Sequence, residues 1–323
     1  MKTGTLMETV TRRDILKWGC MALGTGLVAS SPWMSLAAQL ADAGPMRMRA
    51  IPKSGEQLSV IGVGTNNFGV TSPDQMAPIR EVLRLMSESG ANVIDTARVY
   101  GGGRAEEVIS EVLSDLGTRE QMFIATKVST PESHQHALEM LEASMSALSA
   151  DQVGAMRAHN IAGSAILFPI LREWKQAGRI RHFGVTSVNT DHYPEIERQI
   201  LEEDIDIIEI NYSVADRTAA DRLLPIARDN GVAVLVAVPF GGRRGNILPQ
   251  LASQPLPEFA SEIGATSWAQ LCLKYNLANP AVTCVTPGTT NPEHIADNMA
   301  AGFGALPDAD MCRRIERIVG EVV

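Results

Sequence analysis

Short runs of apolar, often β-branched residues recur along the chain at regular intervals. Runs of about four to eight such residues, bounded by polar or glycine-containing segments, are typical of buried strands in a parallel sheet. Eight of them occur: VIGVGT from Val60, NVIDTA from Asn92, MFIATKV from Met122, VGAMRAH from Val153, IRHFGVTS from Ile180, IDIIEINY from Ile205, VAVLVAVPF from Val232 and VTCVTPG from Val282. The pattern therefore predicts eight strands.

Segments whose apolar residues recur every three or four positions lie between these runs and predict helices. They include PIREVLRLMSESG, RAEEVISEVLSDLG, SHQHALEMLEASMSAL, ILREWKQAG and RLLPIARDNG. Several of them end at a glycine that can cap the helix, namely Gly90, Gly117, Gly178 and Gly231. Because strands and helices alternate, we expect a parallel sheet covered by helices.

Eight strand–helix units over roughly 250 residues favour a (β/α)8 TIM barrel over a doubly wound sheet, since no chain remains for a second domain. Residues 47–60 predict an N-terminal β-hairpin that turns at residues 53–56 and covers the bottom of the barrel. Residues 308–323 predict a C-terminal helix.

Residues 1–43 are expected to be a leader, which leaves residues 44–323 for the barrel. The leader carries the pair Arg12 and Arg13, an apolar run over residues 18–33, and the sequence Ala-Asp-Ala at residues 41–43. This is the order of a twin-arginine signal peptide. We therefore expect periplasmic delivery through the twin-arginine export machinery, with a retained membrane anchor as the alternative.

The charge and the cysteines narrow the classes of partner. The 323 residues carry a formal net charge of −9, which disfavours nucleic acid and anionic membrane surfaces as partners. The cysteines Cys20, Cys272, Cys284 and Cys312 lack metal-ligand spacing, so no metal site is expected. Cys272 and Cys284 lie in apolar runs and are predicted to be buried free thiols.

Four ionisable side chains are predicted to meet at one rim of the barrel. Asp95 ends the second strand, Lys127 the third and His159 the fourth, while Tyr100 follows the second. The carboxyl ends of barrel strands form the active-site face. Each residue alone has an ordinary structural explanation, but the four together favour a catalytic site.

The grouping suits a proton donor aimed at a carbonyl oxygen. A tyrosine with an ordinary pKa near ~10 exchanges protons poorly at neutral pH. Lys127 would favour the phenolate of Tyr100, and Asp95 would keep that lysine charged. A neutral His159 would orient the oxygen. The hydride would have to come from a nicotinamide cofactor.

Competing motifs are missing from the sequence. The segment GVGTNN from Gly62 fails the dinucleotide-binding pattern GxGxxG, because Asn67 occupies the position of the third glycine. No GxSxG, Walker or zinc-hydrolase motif is present.

From about Ile51 to Pro307 the chain resembles the aldo/keto reductase family. The resemblance is carried by IGVGT, VIDTARVYGGG followed by AEE, ATKV, AHN, WKQAGRIRHFGVTS, EINYS and VTPGTTNPEHIADN. It implies a (β/α)8 barrel with NADPH across its top, and a catalytic tetrad of Asp95, Tyr100, Lys127 and His159.

The nicotinamide positions implied by the resemblance depart from the family pattern. Thr186, Ser187 and Glu209 stand where the family usually has Ser or Thr, Asn and Gln, and the ring-stacking position falls on Ala237 or Val238 instead of an aromatic residue. An ionised Glu209 can accept from the carboxamide but cannot donate to it. Arg157 is a further departure, two residues before His159.

The resemblance assigns the rest of the cofactor to three loops. Its residues there are Gly64 and Thr65, then Phe240, Gly242 and Arg243, then Gly288, Thr289, His294, Asp297 and Asn298. The resemblance also counts Asp95 among the residues that contact the cofactor. Gly288 and His294 replace the Lys and Arg that usually pair with the 2'-phosphate, while Arg243 or Arg244 could reach the phosphates. We expect NADP(H) ahead of NAD(H).

The resulting hypothesis is an exported oxidoreductase that interconverts a small carbonyl compound and an alcohol. A cofactor carried through the export route would have to be recycled in place, by a second substrate or by an unidentified redox partner. The alternative is an exported barrel that binds a nucleotide without turnover, a sensor or pseudoenzyme, which Glu209, Gly288 and the missing aromatic residue suggest.

Overall fold

The computed structural model describes residues 44–241 and 245–323. The predicted leader, residues 1–43, lies outside the described residues, as do Gly242, Arg243 and Arg244. The described chain opens with an antiparallel hairpin formed by β1 (Met48–Ala50) and β2 (Gln57–Ser59), as predicted.

Eight parallel strands follow within the described residues, and each predicted run contributes one of them. They are β3 (Val63–Gly64), β4 (Val93–Asp95), β5 (Phe123–Val128), β6 (Val153–Ala158), β7 (Ile180–Ser187), β8 (Ile207–Ile210), β9 (Ala233–Val236) and β10 (Cys284–Val285). Neighbours in sequence are neighbours in the sheet, and parallel bridges from Ile61 to Val285 and from Gly64 to Gly288 join the two edge strands. The sheet therefore closes into the (β/α)8 barrel.

Helices cover the outside of the barrel, each preceding the next strand or closing the chain. They are α1 (Pro73–Glu88), α2 (Arg104–Leu116), α3 (His134–Ala147), α4 (Ser164–Gln176), α5 (Tyr193–Glu202), α6 (Thr218–Asp221), α7 (Leu223–Asp229), α8 (Leu248–Leu251), α9 (Trp268–Ala278), α10 (Pro292–Ala300) and α11 (Ala309–Val322). Side-chain oxygens of Ser72, Ser133, Ser267, Asn291 and Asp308 cap the first turns of five of them. Helix α4 begins several residues before the predicted ILREWKQAG segment.

The hairpin covers the bottom of the barrel, as predicted. Ile51 and Leu58 are fully buried and pack against inward-facing strand residues, including Val93, Phe123 and Leu235. This small inner cluster fills the lower half of the barrel with apolar side chains. One buried polar side chain, His182, also reaches this end: its ring lies 5.9 Å from that of Phe123, and its Nε2 lies 2.8 Å from Glu56 Oε2 of the hairpin turn.

Two of the cysteines lie deep in the core. Cys272 and Cys284 are buried free thiols, as expected, and burial raises the pKa of Cys272 to about 12. Within residues 44–241 and 245–323, no helix has the length and apolar character needed to cross a bilayer.

Candidate active site

A cleft of about 690 Å³ opens over the carboxyl ends of the strands. Its wall includes the end of β3 at Gly64 and Thr65, the end of β7 at Thr186 and Ser187, and the loop after β9. Asp95, Tyr100, Lys127 and His159 all line it, so the four predicted catalytic residues meet in one place. The parallel strands explain this convergence, because their carboxyl ends share one rim.

Asp95 and Lys127 form an ion pair at the floor of the cleft. Lys127 Nζ lies 2.5 Å from Asp95 Oδ2, and the side chains are 1% and 4% exposed. Burial alone would lower the pKa of Lys127, but the carboxylates of Asp95 and Glu209 outweigh burial and raise it. Lys127 is therefore a charged ammonium, as the sequence hypothesis requires.

Arg157 and Glu209 complete this pair into a four-residue charge network. Arg157 Nη1 donates to Glu209 Oε2 at 2.8 Å, Arg157 Nη2 contacts Asp95 Oδ1, and Lys127 Nζ lies 3.1 Å from Glu209 Oε2. Burial would raise the pKa of Glu209, but Lys127 and Arg157 lower it to about 2. Burial and the nearby Glu209 raise the pKa of Asp95, against the opposite effect of Lys127 and Arg157.

The sequence hypothesis missed the role of Arg157 and gave Glu209 an incomplete one. An arginine in the middle of a buried parallel strand, with a glutamate two strands away, was the available signal. A fully buried arginine almost always has a carboxylate partner. Register on β6 and β8 places Arg157 and Glu209 at the same height in the barrel, with Gly184 and Thr186 of β7 between them.

Tyr100 is positioned by the glycines that follow it. Gly101 and Gly102 have φ of 57° and 66°, the left-handed conformation that glycine adopts readily. A Cβ on Gly101 would lie 2.4 Å from the Cα of Gly69, so the two chain segments touch backbone to backbone. The glycines after the tyrosine therefore let the loop turn tightly over the cleft and bring Tyr100 to its edge.

The tyrosine lies beside the ammonium, but its pKa does not fall. Lys127 Nζ is 5.1 Å from the centre of the Tyr100 ring. Burial raises the pKa of Tyr100, and Asp95 and Glu209 add to that rise, against the opposite effect of Lys127. Lys127 by itself lowers this pKa, as expected, but burial and two carboxylates outweigh one ammonium, so the net shift is upward. Tyr100 is held as the neutral phenol.

His159 faces Tyr100 across the cleft. Their ring centroids are 5.8 Å apart with an interplanar angle of 81°, and the His159 amide donates to the Val128 carbonyl at 2.8 Å. Burial, followed by Lys127, lowers the pKa of His159 to about 4. The imidazole is therefore neutral at neutral pH, as expected for a group that orients a carbonyl oxygen.

The residues expected to grip the nicotinamide share one wall of the cleft. Thr186 Oγ1 donates to Glu209 Oε2 at 3.0 Å, and Ser187 Oγ lies 2.8 Å from His192 Nδ1. His192 is a second residue that the sequence hypothesis missed. Ala237 and Val238 line the same cleft, and Phe240 of the same loop lines it as well.

Other predicted cofactor residues divide between the cleft and its surroundings. Gly64, Thr65, Phe240 and Gly288 line the cleft. A Cβ on Gly288 would lie 2.8 Å from Asn66 Oδ1, so this position has no room for a longer side chain without rearrangement. Gly242 and Arg243 lie outside the described residues, and their assignment stays a prediction.

The predicted adenosine-end residues lie beyond the cleft, on the β10–α10 loop and on α10. Thr289 Oγ1 accepts from the Asn291 amide at 3.0 Å, and Asp297 accepts from Ser267 at 2.7 Å and Gln270 at 2.6 Å. His294 is exposed and Asn298 is buried. The contacts of Asp297 therefore fasten α10 to α9, and a cofactor role for these four residues stays a prediction.

The carboxylates of the cleft are paired with neighbouring cations. Across residues 44–241 and 245–323, no group of three or more His, Cys, Asp or Glu side chains is arranged to hold a metal ion. The donors that would serve a metal, Asp95 and Glu209, are occupied by Lys127 and Arg157.

A comparison with known protein families identifies the family to which this barrel and its cleft belong. The model of the aldo/keto reductase family matches residues 60–319, most of the chain. The chain belongs to the aldo/keto reductase family. It is a nicotinamide-dependent oxidoreductase that interconverts carbonyl compounds and alcohols.

Two curated members of the aldo/keto reductase family illustrate the relationship. L-galactose dehydrogenase from Arabidopsis thaliana is 26% identical over 291 residues, covering 79% of this chain and 88% of that protein. NADH-specific methylglyoxal reductase from Escherichia coli is 28% identical over 275 residues, covering 68% of this chain and 81% of that protein.

A solved aldo/keto reductase supports the fold. The enzyme from Klebsiella pneumoniae, crystallised with NADP and acetate, superposes with a TM-score of 0.69 at 22% identity, covering 84% of this chain and 94% of that chain. At this level of identity, the likeness shows that the two chains share the barrel.

Proposed function

We propose that Tyr100 is the general acid and base of this reductase, with Lys127 and Asp95 supporting it and His159 orienting the substrate oxygen. The observation that carries the proposal is the convergence of these four side chains on one cleft. Two of them have perturbed pKa values that suit their roles, since Tyr100 is a neutral phenol and His159 a neutral imidazole.

In the reducing direction, Tyr100 gives its hydroxyl proton to the carbonyl oxygen as that oxygen becomes negative. The phenolate left behind lies next to the Lys127 ammonium, which stabilises it by charge attraction. His159 donates a hydrogen bond to the same oxygen and holds it in line with Tyr100. In the oxidising direction Tyr100 takes the proton back. The bound nicotinamide supplies or accepts the hydride.

The walls of the cleft fit a nicotinamide cofactor. Thr186, Ser187 and Glu209 offer a hydroxyl, a second hydroxyl and a carboxylate on one wall, suited to a carboxamide that donates from nitrogen. Ala237 and Val238 give the ring an aliphatic surface in place of an aromatic one. Gly64 and Gly288 allow close approach of backbone to ligand at the opposite side.

We place NADP(H) ahead of NAD(H) as the cofactor. The structural neighbour from Klebsiella pneumoniae was crystallised with NADP, which supports this order. The relative named an NADH-specific reductase, and the glycine at position 288, favour the reverse. Competition between the two cofactors on the purified protein decides between them.

The substrate class is a small carbonyl compound or the matching alcohol. The curated relatives are named for a sugar and for a small ketoaldehyde. The described cleft presents Asn66, Asn67 and Asn189 as neutral polar groups near its opening. This lining supports an uncharged polar substrate.

We also propose that the protein works outside the cytoplasm, delivered by the twin-arginine machinery. The support is the order of the leader: Arg12 and Arg13, an apolar run, then the Ala-Asp-Ala site at residues 41–43. Cleavage after Ala43 would release the barrel. Export in the folded state would let the protein carry a cofactor with it, and reoxidation or rereduction would then need a second substrate or a redox partner.

Fluorescence titration with NADPH and with NADH, followed by turnover assays on a panel of small aldehydes, ketones and sugars, tests the proposed chemistry. We expect saturable binding and cofactor oxidation that depends on a carbonyl substrate. Saturable binding without oxidation on any member of the panel would favour a nucleotide-binding barrel without turnover. No binding of either cofactor would contradict the proposal.

A further inference from the structure

Arg157 contacts the carboxylates of both Glu209 and Asp95. Its Nη1 donates to Glu209 Oε2, while its Nη2 contacts Asp95 Oδ1 and donates to the Ala125 carbonyl at 3.3 Å. Within the described residues, Lys127, Arg157 and Thr186 all contact the same glutamate oxygen, Oε2. This arrangement leaves Oε1 as the oxygen to face a ligand, since Glu209 lines the cleft.

Stability alone does not account for this pair. Arg157 is fully buried, and its Nε has no hydrogen-bond partner among the described residues. A buried ion pair is often no more stable than apolar side chains of similar volume, and an unpaired buried N–H costs further. A barrel that needed only packing would be served as well by a methionine and a glutamine.

The charges at the floor of the cleft sum to zero. Asp95 on β4 and Glu209 on β8 are negative, and Lys127 on β5 and Arg157 on β6 are positive. The groups facing them, Tyr100 and His159, are neutral at neutral pH. Removing one member of the Arg157–Glu209 pair would leave one uncompensated charge in a buried site, where screening by water and salt is weak.

We propose that Arg157 is a positioning residue that neutralises Glu209, and that this pair sets the relative affinity of the cleft for oxidised and reduced nicotinamide. The inference rests on the proposed function, because Glu209 belongs to the wall expected to hold the carboxamide. An oxidised nicotinamide ring carries a positive charge that the reduced ring lacks. A net charge beneath the cleft therefore acts on one redox form and spares the other.

The test compares dissociation constants for NADP⁺ and NADPH in Arg157→Met, Glu209→Gln and the double variant, at about pH 8, well above the ordinary pKa of a carboxyl group. Glu209→Gln leaves an excess positive charge and should raise Kd(NADP⁺)/Kd(NADPH) about tenfold. Arg157→Met leaves an excess negative charge and should lower the ratio by a similar factor. These sizes correspond to a unit charge acting over roughly 10 Å at an effective dielectric constant near ~20. The double variant should return to within about twofold of the parent ratio.

A matched control removes the cation from another buried carboxylate. Lys175 Nζ lies 2.7 Å from Asp206 Oδ1, the aspartate is 1% exposed, and neither residue lines the cleft. Lys175→Met should lower the thermal midpoint and leave the ratio of dissociation constants unchanged. If Arg157→Met fails to fold, the ratio Kd(NADP⁺)/Kd(NADPH) is compared between Glu209→Gln and the double variant. That comparison tests the same effect of one uncompensated charge.

The outcomes distinguish a failure of the Arg157–Glu209 inference from a failure of the proposed function. Single variants that weaken both redox forms equally, or that move the ratio in the same direction, would overturn the inference while parental binding and turnover leave the proposed function standing. A parent protein that binds neither NADP(H) nor NAD(H) would overturn both.

Discussion

The rings of Tyr100 and His159 meet edge to face, with centroids 5.8 Å apart, at the mouth of the cleft. One ring comes from the loop after β4 and the other from the end of β6, and the two meet because both strands pair with β5. Between them they offer an O–H and an N–H to the same region of the cleft. Both side chains line the cleft, where a substrate oxygen would meet both donors.

Replacing Tyr100 with phenylalanine should slow carbonyl reduction by roughly 100-fold or more, because the proton donor is lost while the ring remains. Cofactor affinity should change little. Tyr275→Phe is the matched control, since the Tyr275 hydroxyl donates to Glu316 at 2.6 Å outside the cleft. Steady-state kinetics with each variant measures the effect. A near-parental rate for Tyr100→Phe on every substrate would contradict the assignment.

The rate of carbonyl reduction should change little between about pH 5 and pH 9. His159 has a pKa of about 4, so the imidazole becomes protonated only below about pH 5, where the rate should begin to fall. Burial raises the pKa of Tyr100, so the phenol stays protonated until strongly alkaline pH. The pH profile of kcat/KM tests this. A bend near pH 6.5 that disappears in His159→Asn would show instead that the imidazole titrates normally.

Gly101→Ala should cost more stability and activity than Gly102→Ala. Both glycines have positive φ, so either alanine is strained by roughly 1 kcal/mol. Only at Gly101 would the new Cβ meet the Gly69 backbone, at 2.4 Å, whereas nothing lies within 4 Å at Gly102. Urea unfolding and kcat measure the two effects. Equal losses in both variants would mean that the Gly69 contact does not position Tyr100.

Protein recovered from the periplasm should contain close to one equivalent of nicotinamide cofactor. A cofactor that exchanged freely would be lost where its free concentration is low, since occupancy follows free ligand relative to Kd. An exported reductase that works must therefore release its cofactor slowly. Denaturing the exported protein, without added cofactor, and quantifying NAD(H) and NADP(H) by chromatography measures the content. Arg12→Lys/Arg13→Lys is the control, expected to stay in the cytoplasm. An exported protein with little cofactor and weak rebinding would contradict cofactor retention.

The fold followed from local pattern to a large extent. Eight apolar runs separated by helical segments leave a parallel sheet few alternatives, and capping residues such as Asn291 and Asp308 mark helix starts without tertiary information. The convergence of Asp95, Lys127 and His159 also followed, because residues that end parallel strands share one rim.

The partners of buried charges depended on the tertiary structure. Arg157 and Glu209 are separated by 52 positions in the sequence, and only the register across β6, β7 and β8 brings them within 2.8 Å. The upward shift of the Tyr100 pKa also depended on the tertiary structure. Sequence placed an ammonium near the phenol, but the degree of burial and the nearness of two carboxylates decide the balance, and both are three-dimensional quantities.

The sequence by itself thus determined the strand order, the cleft face and the four ionisable residues that line it, since each depends on period and position along the chain. The tertiary structure decided which charges neutralise one another, that Gly101 meets Gly69, and that Asp297 fastens α10 to α9. These contacts join residues distant in sequence, and their energies depend on distance and burial, which no linear pattern specifies.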